Sequence, residues 1–332
     1  MRKVASTSLL AVVVVVGGAL AIEASEGRAA ASAGYPQRPI RLVIPFPVGG
    51  PVDLVARAPA ARLAEALGYP VIVDNRPGAG GGIGADLVAK APPDGYTLLW
   101  GSAGPLAINV ALYAKLPYDP VRDFAPITQT VATQVILVLH PSMAANSVRE
   151  LIDYARANPD RLTYASVGNG TSPHLAMELF KMMTGTDFRH IPYKGGASAM
   201  TDLVSGRVPL MFIAISSALP YVKAGRLKAL AVATQRRAQA MPELPTVAEA
   251  GVPGYDASTW HGLVAPAATP RAIVTRLHAE MVRILRQDEM KLALIGLGAE
   301  PVGSTPEQFA AYIRGEIAKW KPVVKASGMT VD

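Results

Sequence analysis

The chain has 332 residues, 50% of them hydrophobic, 17% charged and 6% aromatic, which excludes a disordered or collagen-like polymer and suffices to bury a core. It has no cysteine, so disulfide scaffolds, thiolate nucleophiles, zinc fingers and cysteine-ligated iron–sulfur clusters are all removed. The formal net charge is +7; the basic residues are scattered, without a Lys/Arg block or interleaved aromatics, which argues against nucleic acid and reads first as solvated surface charge, with attraction of a carboxylate ligand as the alternative.

Arg2 and Lys3 precede an apolar run from Leu9 to Ile22, and the small-residue stretch Ala29 to Ala33 follows. This pattern predicts a secretory signal peptide over 1–33, its apolar run being shorter than the roughly 20 residues of a membrane-spanning helix. Cleavage would remove Arg2, Lys3, Arg28, Glu23 and Glu26, lowering the net charge from +7 to +6. The length that remains predicts two domains.

From residue 40 onward short apolar runs alternate with helical patterns, as in parallel sheets with crossover helices. Strands are predicted at Ile40 to Ile44, Val71 to Val73, Tyr96 to Trp100, Leu162 to Ala165, Arg189 to Pro192, Val208 to Ile215 and Leu227 to Ala233. Ser147 with Glu150, Thr246 with Glu249 and Thr305 with Gln308 are capping-box patterns. Pro173, Pro270 and Pro306, each one residue after Ser or Thr, mark helix starts. Ile273, Leu277, Met281 and Ile284 give one apolar face to a helix over about 270–287. Pro59, inside the helical stretch 52–67, predicts a kink or an end. The run Ile127 to His140 leads out of the first βα array, and Trp260 to Pro266 can lead back. The predicted division is therefore lobe 1 from 34–132 plus 260–332, and lobe 2 from 133–259, with a hinged cleft between them.

Four polar loops follow strands. The first, Pro45 to Asp53, carries Gly49 and Gly50 at a helix start, where unpaired N–H groups attract anions; a plain tight turn would use the same glycines. The second, Gly168 to Pro173, gathers hydroxyls, an amide and backbone donors suited to a carboxylate, and its alternative is an ordinary cap. Gly101 to Gly104 and Tyr193 to Gly196 are the others. Gly78 to Gly84 imitates a dinucleotide fingerprint, but it does not follow the first strand and none of the tyrosines has a lysine four residues on, so it is read as a loop and no cofactor is expected. The five histidines form no HExxH and no metal-ligand spacing. Ser172 and His174 suggest a Ser–His pair, yet no nucleophile elbow exists.

These residues carry a resemblance. The stretches PIRLVIPFPVGG, VIVDNRPGAGGGIGAD, PPDGYTLLWGSAG, LTYASVGNGTSPHLAMELFK, HIPYKGGASAMTDLVSGRVPLMF and LPTVAEAGVPGYD are similar to the Bug family, the periplasmic solute-binding proteins of tripartite tricarboxylate transporters, from about Tyr35 to the C-terminus. The resemblance implies an α/β periplasmic binding protein of the Venus-flytrap kind, two α/β lobes with a ligand cleft at the hinge. It implies no catalysis, a small carboxylate as ligand, a monomer, and membrane permease subunits or a sensor protein as partners. An exported hydrolase built on Ser172 and His174 is the competing class. Carried over by motif, Phe46, Gly49, Gly50 and Asp53 line the first loop, with Asp53 a helix cap in the alternative. Ser102 and Ala103 line the second, and Asn169, Gly170, Thr171, Ser172, Lys194 and Gly195 the opposite lobe. The chain departs from the family at Val48, where a proline is usual, at Pro51-Val52, and at Ile213, where an Asp usually follows the Phe of an MFD stretch. Ile213 is expected to favour an apolar or aromatic carboxylate over an amino acid.

Overall fold

The computed structural model describes residues 34–329 apart from Asp160 and Lys194; the signal-peptide segment 1–33 lies outside the described residues. Two sheets organise the chain. The first holds β1 (Ile40–Ile44), β2 (Val71–Asn75), β3 (Thr97–Ser102), β4 (Phe124–Thr133), β10 (Thr259–Pro266) and β11 (Ala299–Pro301), in the order β11-β4-β10-β3-β1-β2. The second holds β5 (Val135–Leu139), β6 (Thr163–Ser166), β7 (Arg189–Pro192), β8 (Leu210–Ala214) and β9 (Lys228–Val232), ordered β7-β6-β8-β5-β9. Only Gln134 separates β4 from β5, so the chain changes sheets in a single step, and β10 returns it.

The sheets are mixed rather than wholly parallel. Of the predicted parallel strands, β1, β2 and β3 are parallel to one another, as are β6, β7 and β8, whereas β9 is antiparallel to β5. The strands that leave or enter a lobe, β5 and β10, run antiparallel to theirs.

The helices are α1 (Pro51–Leu67), α2 (Gly82–Ala89), α3 (Asn109–Leu112), α4 (Val148–Ala157), α5 (Ser172–Thr184), α6 (Gly196–Val204), α7 (Ile215–Lys223), α8 (Arg271–Leu285), α9 (Asp288–Gly296) and α10 (Pro306–Ser327). The helix expected near 270–287 buries Ile273, Leu277, Met281 and Ile284 as its spacing requires. Of the two outcomes expected at Pro59, an end is not found: α1 continues through it to Leu67. A proline inside a helix costs about 3 kcal/mol, but Val55, Leu63 and Leu67 are buried on the same helix, each contributing about 1.5–3 kcal/mol, so packing prevails. Thr246 and Glu249 do exchange both hydrogen bonds of a capping box, yet they close an isolated turn and no helix follows.

One face of the first sheet packs with α1 and α8 through Leu42, Trp100, Leu263 and Leu277. The other face joins a core that continues through Trp260, Phe309 and Trp320 into Phe180, Phe212 and Tyr255 of the second sheet's side. Ile136, Met211 and Ile213 face a separate core with α6 and α7.

Candidate functional site

The loop after β1 is tied from beneath. Asp53, fully buried in the first turn of α1, accepts the Gly49 N–H and Arg57 Nε on Oδ2, both at 2.8 Å, and Asn75 Nδ2 on Oδ1 at 2.9 Å. Asn75 also donates to the Phe46 carbonyl at 3.0 Å. Burial by itself would raise the Asp53 pKa; hydrogen bonds from Arg57, Gly49 and Asn75, with the Arg57 charge, more than offset it, and the group stays below the usual carboxylate range. Asp53 is thus engaged with its own loop, and Gly49, at φ 75°, adopts the left-handed conformation that the turn needs.

The loops after β2 and β3 lock onto this one. A Cβ on Gly81 would stand 3.3 Å from the Phe46 ring and 3.2 Å from Pro105, so the glycine-rich segment is the surface on which Phe46 rests. Asn109 Nδ2 donates to the carbonyls of Ala79 and Gly80 at 3.4 and 3.3 Å. Ser102 and Ala103 are buried where β3 passes into wide helical turns over Gly104–Ile108.

In the other lobe the loop from Ser166 to Ser172 is held by its own hydroxyls. Ser166 Oγ donates to the Gly168 carbonyl at 3.0 Å, and Thr171 Oγ1 donates to the same carbonyl at 2.7 Å. The Gly170 N–H donates to His174 Nδ1 at 3.1 Å. His174 stacks on His190 with ring centroids 3.7 Å apart, and His190 Nε2 lies 2.6 Å from Ser166 Oγ. Burial, then the His190 and Lys181 charges, pull His174 down to about 3, so it is neutral. Glu178 Oε1 lies 4.0 Å from His174 but is already bound by the Tyr164 hydroxyl at 2.6 Å and Lys181 Nζ at 3.1 Å. No signal in the sequence marks this histidine pair, since its members come from α5 and β7.

Asn169, Gly170, Thr171 and Ser172 sit partly or fully exposed on that loop. Gly195, at φ 113°, precedes α6, and the Gly168 Cβ position is 3.5 Å from the Tyr193 carbonyl, so these two loops adjoin. Lys194 lies outside the described residues. Ile213 is buried among Ile136, Met211 and Val232, in a cluster against which Val167 and Tyr193 of the loops pack. Ser172 Oγ, at the start of α5, donates to Thr259 Oγ1, the first residue of β10 in the other sheet, at 3.3 Å.

The helices that start where the parallel strands end share one property. α1, α2, α5, α6 and α7 begin at Gly50, Gly81, Thr171, Gly195 and Ala214, and none has a side-chain cap. On the opposite edge, Ser147 caps α4 and Thr305 caps α10, although α8 begins uncapped after Pro270. Uncapped starts leave backbone donors at the positive end of the helix dipole available to an anion.

The sequence profile described as "Tripartite tricarboxylate transporter family receptor" matches residues 55–329. The chain belongs to this receptor family. It is 40% identical over 312 residues, 94% of this chain and 93% of the relative, to the protein of the tcbD-tcbE intergenic region of Pseudomonas sp. strain P51. Among solved structures it resembles R. palustris Rpa4515 with adipate, with 40% identity, 89% of this chain and 99% of that one covered, and a TM-score of 0.77. It also resembles MatC from Rhodopseudomonas palustris with bound malate, with 35% identity, coverage of 87% and 100%, and a TM-score of 0.73. The receptor is a periplasmic solute-binding protein with the two-lobed Venus-flytrap fold, and it is no enzyme. The hydrolase alternative also lacks its geometry: Ser172 donates to Thr259, while His174 Nδ1 is taken by a backbone N–H.

Proposed function

We propose that the receptor captures a small carboxylate between its lobes and delivers it to the membrane permease subunits of a tripartite transporter. The observation that carries this reading is the set of uncapped helix starts at Gly50, Thr171 and Gly195, together with the Ser172–Thr259 contact that ties the start of α5 to the start of β10 in the first sheet. Lobe 1 is assigned to 34–132 and 260–332, and lobe 2 to 133–259. Phe46, Gly49, Gly50, Ser102, Ala103, Asn169 to Ser172, Lys194 and Gly195 are assigned to the ligand. Asp53 is assigned to shaping the first loop, and Ile213 to the apolar floor under the second lobe's loops. Two structurally similar receptors carry adipate and malate, which supports a carboxylate. Hydrogen bonds to a charged group contribute roughly 1.5–3 kcal/mol each, so a few of them reach the roughly 8 kcal/mol of micromolar binding.

The test is a thermal-shift screen of the mature receptor against mono-, di- and tricarboxylates, aromatic acids and amino acids, with mass spectrometry of each hit. A ligand at 100 times its Kd should stabilise by about 2.7 kcal/mol and be recovered unchanged. No shift with any carboxylate would overturn the reading.

A further inference from the structure

Four polar residues meet on one face of the first sheet, at the end nearest the other lobe. Ser102 stands opposite His261 in the antiparallel β3–β10 pair, His261 opposite Val131, and Thr259 opposite Thr133. Directly opposed residues, and residues two apart on a strand, project from the same face. Deeper on that face lie Trp100 and Leu263, packed in the apolar core with α1 and α8. The polar end is where α5 of the other sheet's side arrives, because Thr259 Oγ1 is the acceptor for Ser172 Oγ.

His261 is 4% exposed, and its Nδ1 has no hydrogen-bond partner among the described residues; the same holds for Thr133 Oγ1 beside it. Burial pulls the imidazole down to about 4, so the ring is neutral at pH 7 and offers one donor and one acceptor. A buried polar group without a partner is costly. An apolar side chain would fill the same place on a sheet face without that penalty. The position next to Ser102 and the lobe contact gives the unpaired nitrogen a purpose.

We propose that His261 is a specificity-determining residue, hydrogen-bonding a second oxygen of the bound carboxylate, either the distal carboxylate of a diacid or a hydroxyl. This assignment rests on the carboxylate-receptor reading. A site built to hydrogen-bond a ligand oxygen rejects the analogue that lacks it, because the buried group is then left unpaired.

The experiment is calorimetric titration of the mature receptor with straight-chain monocarboxylates, dicarboxylates and ω-hydroxy acids of three to eight carbons. At the best-bound length, the diacid or hydroxy acid should bind at least about tenfold more tightly than the monocarboxylate, a difference of about 1.4 kcal/mol. His261→Leu should bring that ratio within about twofold, by weakening the diacid or hydroxy acid and by relieving the monocarboxylate of the unpaired nitrogen. A ratio untouched by His261→Leu, or a wild-type preference for monocarboxylates, overturns the role of His261 alone. Failure of every acid to bind wild type overturns the receptor reading and this assignment with it. Should His261→Leu not fold, wild-type receptor labelled with 15N-histidine serves instead, its spectrum assigned with His261→Asn. The His261 ring signals should move with the diacid or hydroxy acid and hold with the monocarboxylate, and identical behaviour with both overturns the proposal.

Discussion

Replacing Asp53 by alanine removes the one acceptor shared by the Gly49 N–H, Arg57 and Asn75. Arg57 can turn to water, whereas the loop N–H and the Asn75 amide lose a partner at a buried position, so a destabilisation of about 1–3 kcal/mol is expected in urea unfolding. Carboxylate affinity should fall with it, since Asp53 sets the loop that presents Gly49 and Gly50. The histidine pair makes a prediction about pH. His174 has its pKa lowered from 6.5 to about 3 in the fold, so the unfolded chain binds the proton more readily. Its contribution to stability is complete above pH 6.5 and is lost as the pH falls from there through about 3, at up to about 1.4 kcal/mol per unit. The groups around it, Tyr164, Glu178, Lys181 and His190, do not reverse that sign. Urea titrations from pH 7.5 to 5 should show a shallower fall for His174→Gln than for wild type; equal slopes would refute the assignment of this proton to His174.

At the scale of elements, the contrast between capped and uncapped helices gives a paired test. Ser147 accepts the Glu150 N–H at the start of α4, on the edge away from the cleft, so Ser147→Ala should cost about 1 kcal/mol of stability and leave carboxylate affinity unchanged. Thr171 caps nothing by its side chain and instead holds the Gly168 carbonyl. Thr171→Ala should therefore weaken binding about fivefold while costing less than about 1 kcal/mol in unfolding. Equal effects of the two variants on affinity would remove the link between uncapped starts and the ligand. The same elements show what could be read in advance. Ile40–Ile44 and Arg189–Pro192 coincide with their predicted strands, and Ser147 and Thr305 are the caps expected, because these depend on local pattern. That α1 does not end at Pro59, and that no helix follows the Thr246 turn, depend on tertiary packing, which local pattern does not carry. The motif residues at 46–50 and 169–171 stand on strand-end loops, with Asp53 and Ser172 in the first turns of the helices that follow, but the supports beneath them, Asn75, Gly81 with Pro105, and His174 with His190, come from distant segments that no local pattern joins.

For the whole molecule the decisive element is α10, which follows β11 of the first sheet and reaches the core of the second. Its Glu316, 4% exposed, accepts the indole N–H of Trp260 at 2.9 Å and of Trp320 at 3.0 Å on the same Oε2, and Lys319 pairs with its other oxygen. Trp260 belongs to β10, the strand that carries the chain back between the lobes, and Lys319 also donates to the Asp256 carbonyl just before that strand at 3.2 Å. One carboxylate thus fixes the return crossing to the helix on which both lobes lean. Glu316→Ala leaves two buried indole donors without an acceptor and Lys319 without its closest counter-charge. The expected loss is about 3–5 kcal/mol in chemical denaturation, with a tryptophan emission change in the folded state because two of the three tryptophans lose the same partner. Glu316→Gln keeps one acceptor oxygen and should lose less. If α10 only covered the first lobe, Glu316→Ala would lower stability yet leave the ligand-induced change in radius of gyration by solution scattering untouched. An altered compaction on carboxylate binding is expected instead, because Glu316 ties β10, the strand that returns to the first sheet, to α10.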